Sequence, residues 1–311
     1  MDDLGHSHSH SHTHPPAPGD GGRLKLALCL ILALMVAEVA VGLTASSLAL
    51  LSDAAHMLTD AGALALALLA LRLASRPPGG QFTFGLRRAE ILSAQLNGAT
   101  LVGLGMLIVI EGVHRLVDPP DVRGLAVLVV ALAGVVVNLA ATRVLAGADR
   151  SSLNVEGAFQ HILTDLFAFA ATAVAGAVVI ATGFTRADGI AALLVAALML
   201  RAGYGLLRDS GRVLLEASPR GLDPGQVGQA LAAEPHVFEV HDLHLWEVSS
   251  GFPSLSAHVL VRRECDCQAH RRRLATMLEE RFGIEHSTLQ VEHVGDEGVP
   301  LTIAPLRSKA R

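Results

Sequence analysis

Two five-residue stretches, His-Met-Leu-Thr-Asp at 56–60 and His-Ile-Leu-Thr-Asp at 161–165, set a histidine and an aspartate four residues apart inside long apolar runs. Four residues is close to one helical turn. His56 and Asp60 therefore project from one face of a helix, and His161 and Asp165 from one face of another. Two imidazole nitrogens and two carboxylate oxygens make a four-coordinate set suited to tetrahedral Zn²⁺. A divalent cation would also let two carboxylates share a dry site, because it neutralises them. Ionisable side chains in an apolar span are costly and mark function by default. A lone histidine could simply bond a neighbouring helix, but the doubled His/Asp pair outweighs that reading.

The elements that must position these residues are membrane spans. The chain of 311 residues is 51% hydrophobic and 17% charged, with mean hydropathy +0.47; a soluble globular protein carries roughly 25% charged residues. Six apolar runs, about 24–45, 48–73, 89–113, 123–145, 155–182 and 188–208, each reach the roughly 20 residues that cross a bilayer. At about 1.5 Å per residue, Asp60 lies about 18 Å from the outer end of the second run and Asp165 about 15 Å from the inner end of the fifth. Both are then near the midplane of a core roughly 30 Å thick, on helices of opposite direction. Arginines and lysines cluster on one side of the spans: Arg23, Lys25, Arg72, Arg76, Arg87, Arg88, Arg143, Arg150, Arg208 and Arg212. Arg115, Arg123 and Arg186 fall on the other. The richer side reads as cytoplasmic, which places both termini there. Asp53, three residues before His56, reads either as an acceptor orienting the imidazole or as an interfacial carboxylate. Glu38 and Asn138 read as polar glue between helices.

Four segments follow: a His-rich tail over 1–22, a six-helix membrane domain over 23–212, a small polar domain over 213–296 and a tail over 297–311. The tract His-Ser-His-Ser-His-Ser-His-Thr-His is low-complexity and suits weak, dynamic metal binding near the cytoplasmic entrance. In the polar domain, 223–234 reads as a helix capped by Asp223 with Pro224 at its first position. Two alternating strands, a second helix ending at Gly283 and a third strand follow. The order is α-β-β-α-β, an α+β fold. His241, His258 and His293 fall on the three strands, and strict alternation puts His244 on the face opposite His241. Cys265 and Cys267 could be soft metal ligands or unpaired surface thiols. With one further cysteine, Cys29, they make no disulfide framework.

The segments "SLALLSDAAHMLTD", "FTFGLRRAEILSAQLNG", "EGVHRLVDPP", "VEGAFQHILTD" and "VHDLHLWEV", in that order, resemble the cation diffusion facilitators, in particular their bacterial zinc-transporting branch. The resemblance covers about 24 to 294. It implies a homodimer of six-helix protomers in the bacterial inner membrane, each with a metallochaperone-like cytoplasmic domain. It implies export of Zn²⁺, and also Cd²⁺, Co²⁺ or Ni²⁺, in exchange for protons by alternating access, with no enzymatic activity and no nucleic-acid partner. The transport site maps to His56, Asp60, His161 and Asp165. A zinc cluster in the cytoplasmic domain, with a structural ion, maps to His241, His258, His270 and His293. Two departures stand out. Gly295 occupies a place where some members have Asp, so Glu292 or Asp296 would have to substitute. The loop between spans two and three, "RLASRPPGGQFTFGLRR", holds neither Asp nor His, so no metal is expected there. Two other readings are a metal receptor that signals without transport, and a membrane di-metal enzyme. Four protein ligands leave no open position, which disfavours the enzyme.

Overall fold

The structure, a computed structural model, describes residues 20–44, 48–118 and 124–295. The expected tails lie outside the described residues up to 19 and from 296 on. The chain divides into two compact units: the first runs up to Ala217 and also takes in Val248–Gly251, and the second comprises Ser218–Glu247 and the chain from Phe252 on.

Among the described residues the first unit holds six helices: α1 Asp20–Thr44, α2 Leu48–Ala74, α3 Ala89–Val117, α4 Gly124–Ala146, α5 Leu153–Thr182 and α6 Ala187–Leu214. Their interiors contain no proline; Pro77, Pro78, Pro119, Pro120 and Pro219 all fall between or after them. The i→i−4 ladder therefore runs unbroken, and in lipid a helix must satisfy its own backbone. Over the described residues five of the six, α2 to α6, are long and apolar enough to cross a membrane. The sixth, α1, carries one charged residue, Glu38, between Leu26 and Thr44. Val36, Leu107, Ile110, Val136, Val174 and Leu194 are more than half exposed. Such an apolar exterior suits lipid, not water. α5 stops at Gly183, which takes a left-handed φ of 72° and returns its N–H to the Val179 carbonyl at 2.9 Å.

The six helices pack as four plus two. Leu24 and Ile31 of α1, Met57 and Leu64 of α2, Leu145 of α4 and Ile162 of α5 share one buried core. Ala27, Ala61, Ala67, Ala141 and Ala158 line the same core and let these helices approach closely. α3 and α6 pair along a seam of small residues spaced by seven: Gly98, Gly105 and Gly112 on α3, with Gly189, Ala196 and Gly203 on α6. A Cβ on Gly203 would stand 2.8 Å from the Gly98 carbonyl oxygen, and one on Gly189 3.0 Å from that of Gly112. Backbone meets backbone there. Ion pairs pin both ends: Arg115–Asp188 at 2.6 Å at one, Arg88–Glu216 at 3.4 Å at the other.

The second unit runs α7 Pro224–Ala232, β1 Val237–Glu247, β2 Pro253–Val261, α8 Cys267–Phe282 and β3 His286–His293, the order expected. Asp223 caps α7 by accepting from the Gly225 N–H at 2.9 Å, with Pro224 first in the helix. β1 and β2 pair antiparallel across a short turn, and β2 and β3 pair parallel. A parallel pair needs a long crossover, and α8 supplies it. Val227, Leu231, Leu255, Val259, Val261, Leu274 and Leu278 form the core beneath the helices. Asp266 caps α8, and the backbone N–H groups of Ala269 and Gln268 hold its carboxyl below the usual range.

Candidate metal centre

Asp60 stands twelve residues into α2 from Leu48, and Asp165 twelve residues into α5 from Leu153. At about 1.5 Å per residue each is about 18 Å from the first residue of its helix. His161 Nε2 lies 2.9 Å from Asp60 Oδ1 and 3.9 Å from Asp165 Oδ2. One atom of each of the three residues falls within 4.8 Å of the others, the one such group of His, Cys, Asp or Glu among the described residues. All three are buried, with His161 1%, Asp60 3% and Asp165 6% exposed. His161 Nδ1 is also buried and has no hydrogen-bond partner among the described residues. One imidazole nitrogen facing two carboxylates from two helices is a ligand set for a divalent cation with nitrogen–oxygen preference. His56 lies in α2 one turn before Asp60, on the site's helix. Its side chain, like that of Asp53, lies outside the described residues.

What holds these groups together is a buried amide. Asn154 is fully buried and donates its Nδ2 to the Ala67 carbonyl at 2.8 Å, joining α5 to α2. Asn154 comes seven residues before His161, and Ala67 seven after Asp60. On antiparallel helices those equal offsets, about 10.5 Å each, fix the register that sets Asp60 opposite His161. Sequence reasoning missed Asn154. Its signal was a polar residue two turns before His161 on the same helical face. Replacing Asn154 with leucine removes the interhelical bond at a cost of about 1 kcal/mol. The melting temperature of the purified chain should fall by a few degrees and its affinity for a divalent cation severalfold. Unchanged values would mean that the register is held elsewhere.

Asn138 is buried on α4 and donates to the Gly134 carbonyl of its own helix at 3.1 Å. Glu38 is buried on α1.

In the second unit the four expected histidines do not meet. His241 and His258 are cross-strand partners with ring centroids 5.4 Å apart. His258 pairs with Gln290, three residues from His293, and residues three apart on a strand face opposite ways. His293 therefore shares the face of Leu289 and Val291, and it bonds the Cys265 carbonyl at 2.8 Å. His270 bonds the Pro235 carbonyl at 3.2 Å and sits edge-on to His236. Glu292 accepts from Gln290 Nε2, and Asp296 lies outside the described residues.

The expectation for His244 is corrected too. His241 pairs with His258 and His244 with Ser256, so β1 spends one residue more than β2 between those points. That bulge returns His244 to the face of His241. Asp242, at φ 51° in the bulge, lies 3.0 Å from His244 Nε2 and 3.9 Å from His258 Nε2.

A bundle of membrane-spanning helices with a metal-ligand set buried at mid-helix defines a polytopic membrane protein built to handle cations. Known proteins narrow that class. The cation efflux transmembrane domain matches residues 24–215, and the cation efflux protein cytoplasmic domain matches 219–294. The chain is 40% identical to the cation efflux system protein CzcD of Alcaligenes sp. strain CT14 over 263 residues, 83% of this chain and 82% of that protein. It is 38% identical to the zinc transporter ZitB of Pectobacterium atrosepticum over 261 residues, 83% and 81% of the two chains. It is 35% identical to the cadmium, cobalt and zinc/H⁺-K⁺ antiporter of Bacillus subtilis strain 168, over 83% and 84%. The solved metal-bound C-terminal domain of a CzcD transporter is 35% identical and aligns over 23% of this chain and 99% of its own, at a TM-score of 0.22. The chain belongs to the cation efflux family, the cation diffusion facilitators. These are transporters, not enzymes.

Proposed function

We propose that this protein exports Zn²⁺, and with it Cd²⁺, Co²⁺ or Ni²⁺, from the cytoplasm in exchange for protons by alternating access. The observation that carries the reading is His161 Nε2 set against carboxylates of α2 and α5 at mid-helix. His56 completes a tetrahedral His₂Asp₂ set with Asp60, His161 and Asp165. The metal is cargo. It binds neutral imidazole and ionised carboxylate, so protons and metal compete for the same atoms. A proton released on loading from one face is regained on unloading to the other. The relatives named as zinc transporters, and as a cadmium, cobalt and zinc/H⁺-K⁺ antiporter, support the substrate class and the proton coupling. Carboxylate, imidazole and a closed four-ligand shell favour zinc over the hard cations Mg²⁺ and Ca²⁺.

The protein works as a homodimer in a bacterial inner membrane, both termini cytoplasmic, as the arginine and lysine asymmetry of its connections favours. The open face of the cytoplasmic sheet, with His241 and His258 side by side, takes a structural zinc that the bulge residues Asp242 and His244 stand ready to share. His270 and His293 complete such a cluster only if they reorient.

Reconstitution of the full chain into proteoliposomes, with zinc and pH dyes inside and a panel of divalent ions outside, tests the reading. Zinc entry coupled to opposite proton movement is the expected result. Zinc binding without flux would replace the transporter with a metal receptor.

A further inference from the structure

We propose that Cys265, Cys267 and His293 form a separate thiolate–imidazole site that binds soft divalent ions, Cd²⁺ above all and Zn²⁺ as well. Cys267 Sγ lies 3.4 Å from His293 Nε2. A tetrahedral ion with a metal–sulfur bond of about 2.3 Å and a metal–nitrogen bond of about 2.0 Å holds its two donors about 3.5 Å apart. The pair is thus already at ligand spacing. The Cys265 carbonyl stands 2.8 Å from the same nitrogen, which sets the backbone of Cys265 beside the pair and makes its thiol the nearest candidate for a third ligand. Both cysteines are free thiols, half-buried against the core of the domain, while His293 is exposed and reachable by an ion from solvent.

Three elements fix the position of the site. Val261, the last residue of β2, pairs with His293, the last of β3, and the Val294 N–H closes on the Val261 carbonyl at 2.9 Å. The Cys265 N–H bonds the Arg262 carbonyl at 3.1 Å, turning the chain between the two cysteines and the strand end. Asp266 between the thiols is committed to capping α8 through the Gln268 and Ala269 N–H groups. Loading is balanced by proton release: two sulfur–metal bonds replace two S–H bonds, two protons leave, and the remaining imidazole proton moves to Nδ1. Thiolate ligands select soft ions, which the carboxylate-rich site between α2 and α5 does not.

Cadmium titration of the full chain in detergent, in a Cys29→Ser background, tests the site through the ultraviolet cadmium–thiolate absorption. The band is expected to saturate at one cadmium per chain, to vanish in Cys267→Ser, and to need about tenfold more cadmium in His293→Ala. Zinc should slow alkylation of Cys265 and Cys267 by about tenfold in the same background. Absence of the band, a band indifferent to His293→Ala, or alkylation indifferent to zinc would each overturn the assignment. Asp165→Asn separates the two readings: it disables the site between α2 and α5 and should leave the cadmium–thiolate band unchanged.

Discussion

With His161 replaced by alanine, zinc flux in proteoliposomes is expected to fall by about a hundredfold or more while the purified chain still elutes as one species. The imidazole is the hub of the buried set, since its Nε2 faces both Asp60 and Asp165. Removing it leaves two carboxylates in a dry bundle with one fewer neutral ligand for a cation. An ion held by the remaining groups would have to draw on water, in a site where His161 is 1% exposed. The apolar core of Leu24, Ile31, Met57, Leu64, Leu145 and Ile162 that joins the helices is left in place by the substitution. The loss should therefore show in transport far more than in folding. Flux at the unsubstituted rate would dismiss His161 as a ligand.

A substitution far from any ligand should be nearly as damaging. Gly203→Leu is expected to lower the melting temperature of the whole chain by several degrees or more and to cut the yield of folded protein, read by heating followed by size-exclusion chromatography. A Cβ at Gly203 would already meet the Gly98 carbonyl oxygen at 2.8 Å and a Val102 methyl at 2.8 Å. A backbone oxygen cannot swing aside as a side-chain end can. Overpacking of a close contact typically costs about 1–3 kcal/mol, and here the whole isobutyl group has no space between the two backbones. Gly203→Ala should give a smaller loss of the same sign. Gly205, two residues along, has nothing within 4 Å of its added Cβ. Gly205→Ala should leave the melting temperature unchanged or slightly raised, which makes it the control for helix propensity. Equal behaviour of the two alanine variants would deny the close crossing of α3 and α6.

Much of this arrangement was legible in the order of residues. The apolar runs, the two His/Asp pairs and their opposite helix directions all follow from local pattern, because a span must be apolar throughout and an ionisable residue within it stands out. The α-β-β-α-β order was legible for the same reason: Asp223-Pro224 and Gly283 punctuate it, and the strands alternate. What depended on partners was not. The spacing of Gly98, Gly105 and Gly112 is visible in the chain, but it means a seam only once α6 is known to present Gly189, Ala196 and Gly203 to it. Asn154 looks like one more polar residue until Ala67 is found opposite. His244 was misplaced because a bulge adds one residue without changing the letters. His293 was expected with His258, and the parallel pairing of β3 with β2 sets it three positions further on, facing the other way.

The equal placement of Asp60 and Asp165, twelve residues into helices of opposite direction, has an electrical consequence. A site near the middle of the bilayer sits near half of the transmembrane voltage. A divalent ion moving from the electrically negative face to that point works against about 2.3 kcal/mol for each 100 mV, two charges through half the field, and one arriving from the positive face gains as much. Under the proposed exchange, two ionised carboxylates would neutralise such an ion once it is bound, and protons taken up in its place would neutralise them when it has left. The turnover of the helices between their two orientations then carries almost no net charge in either direction. Voltage bears on the ion's approach and departure, and the rearrangement itself is left nearly indifferent to it.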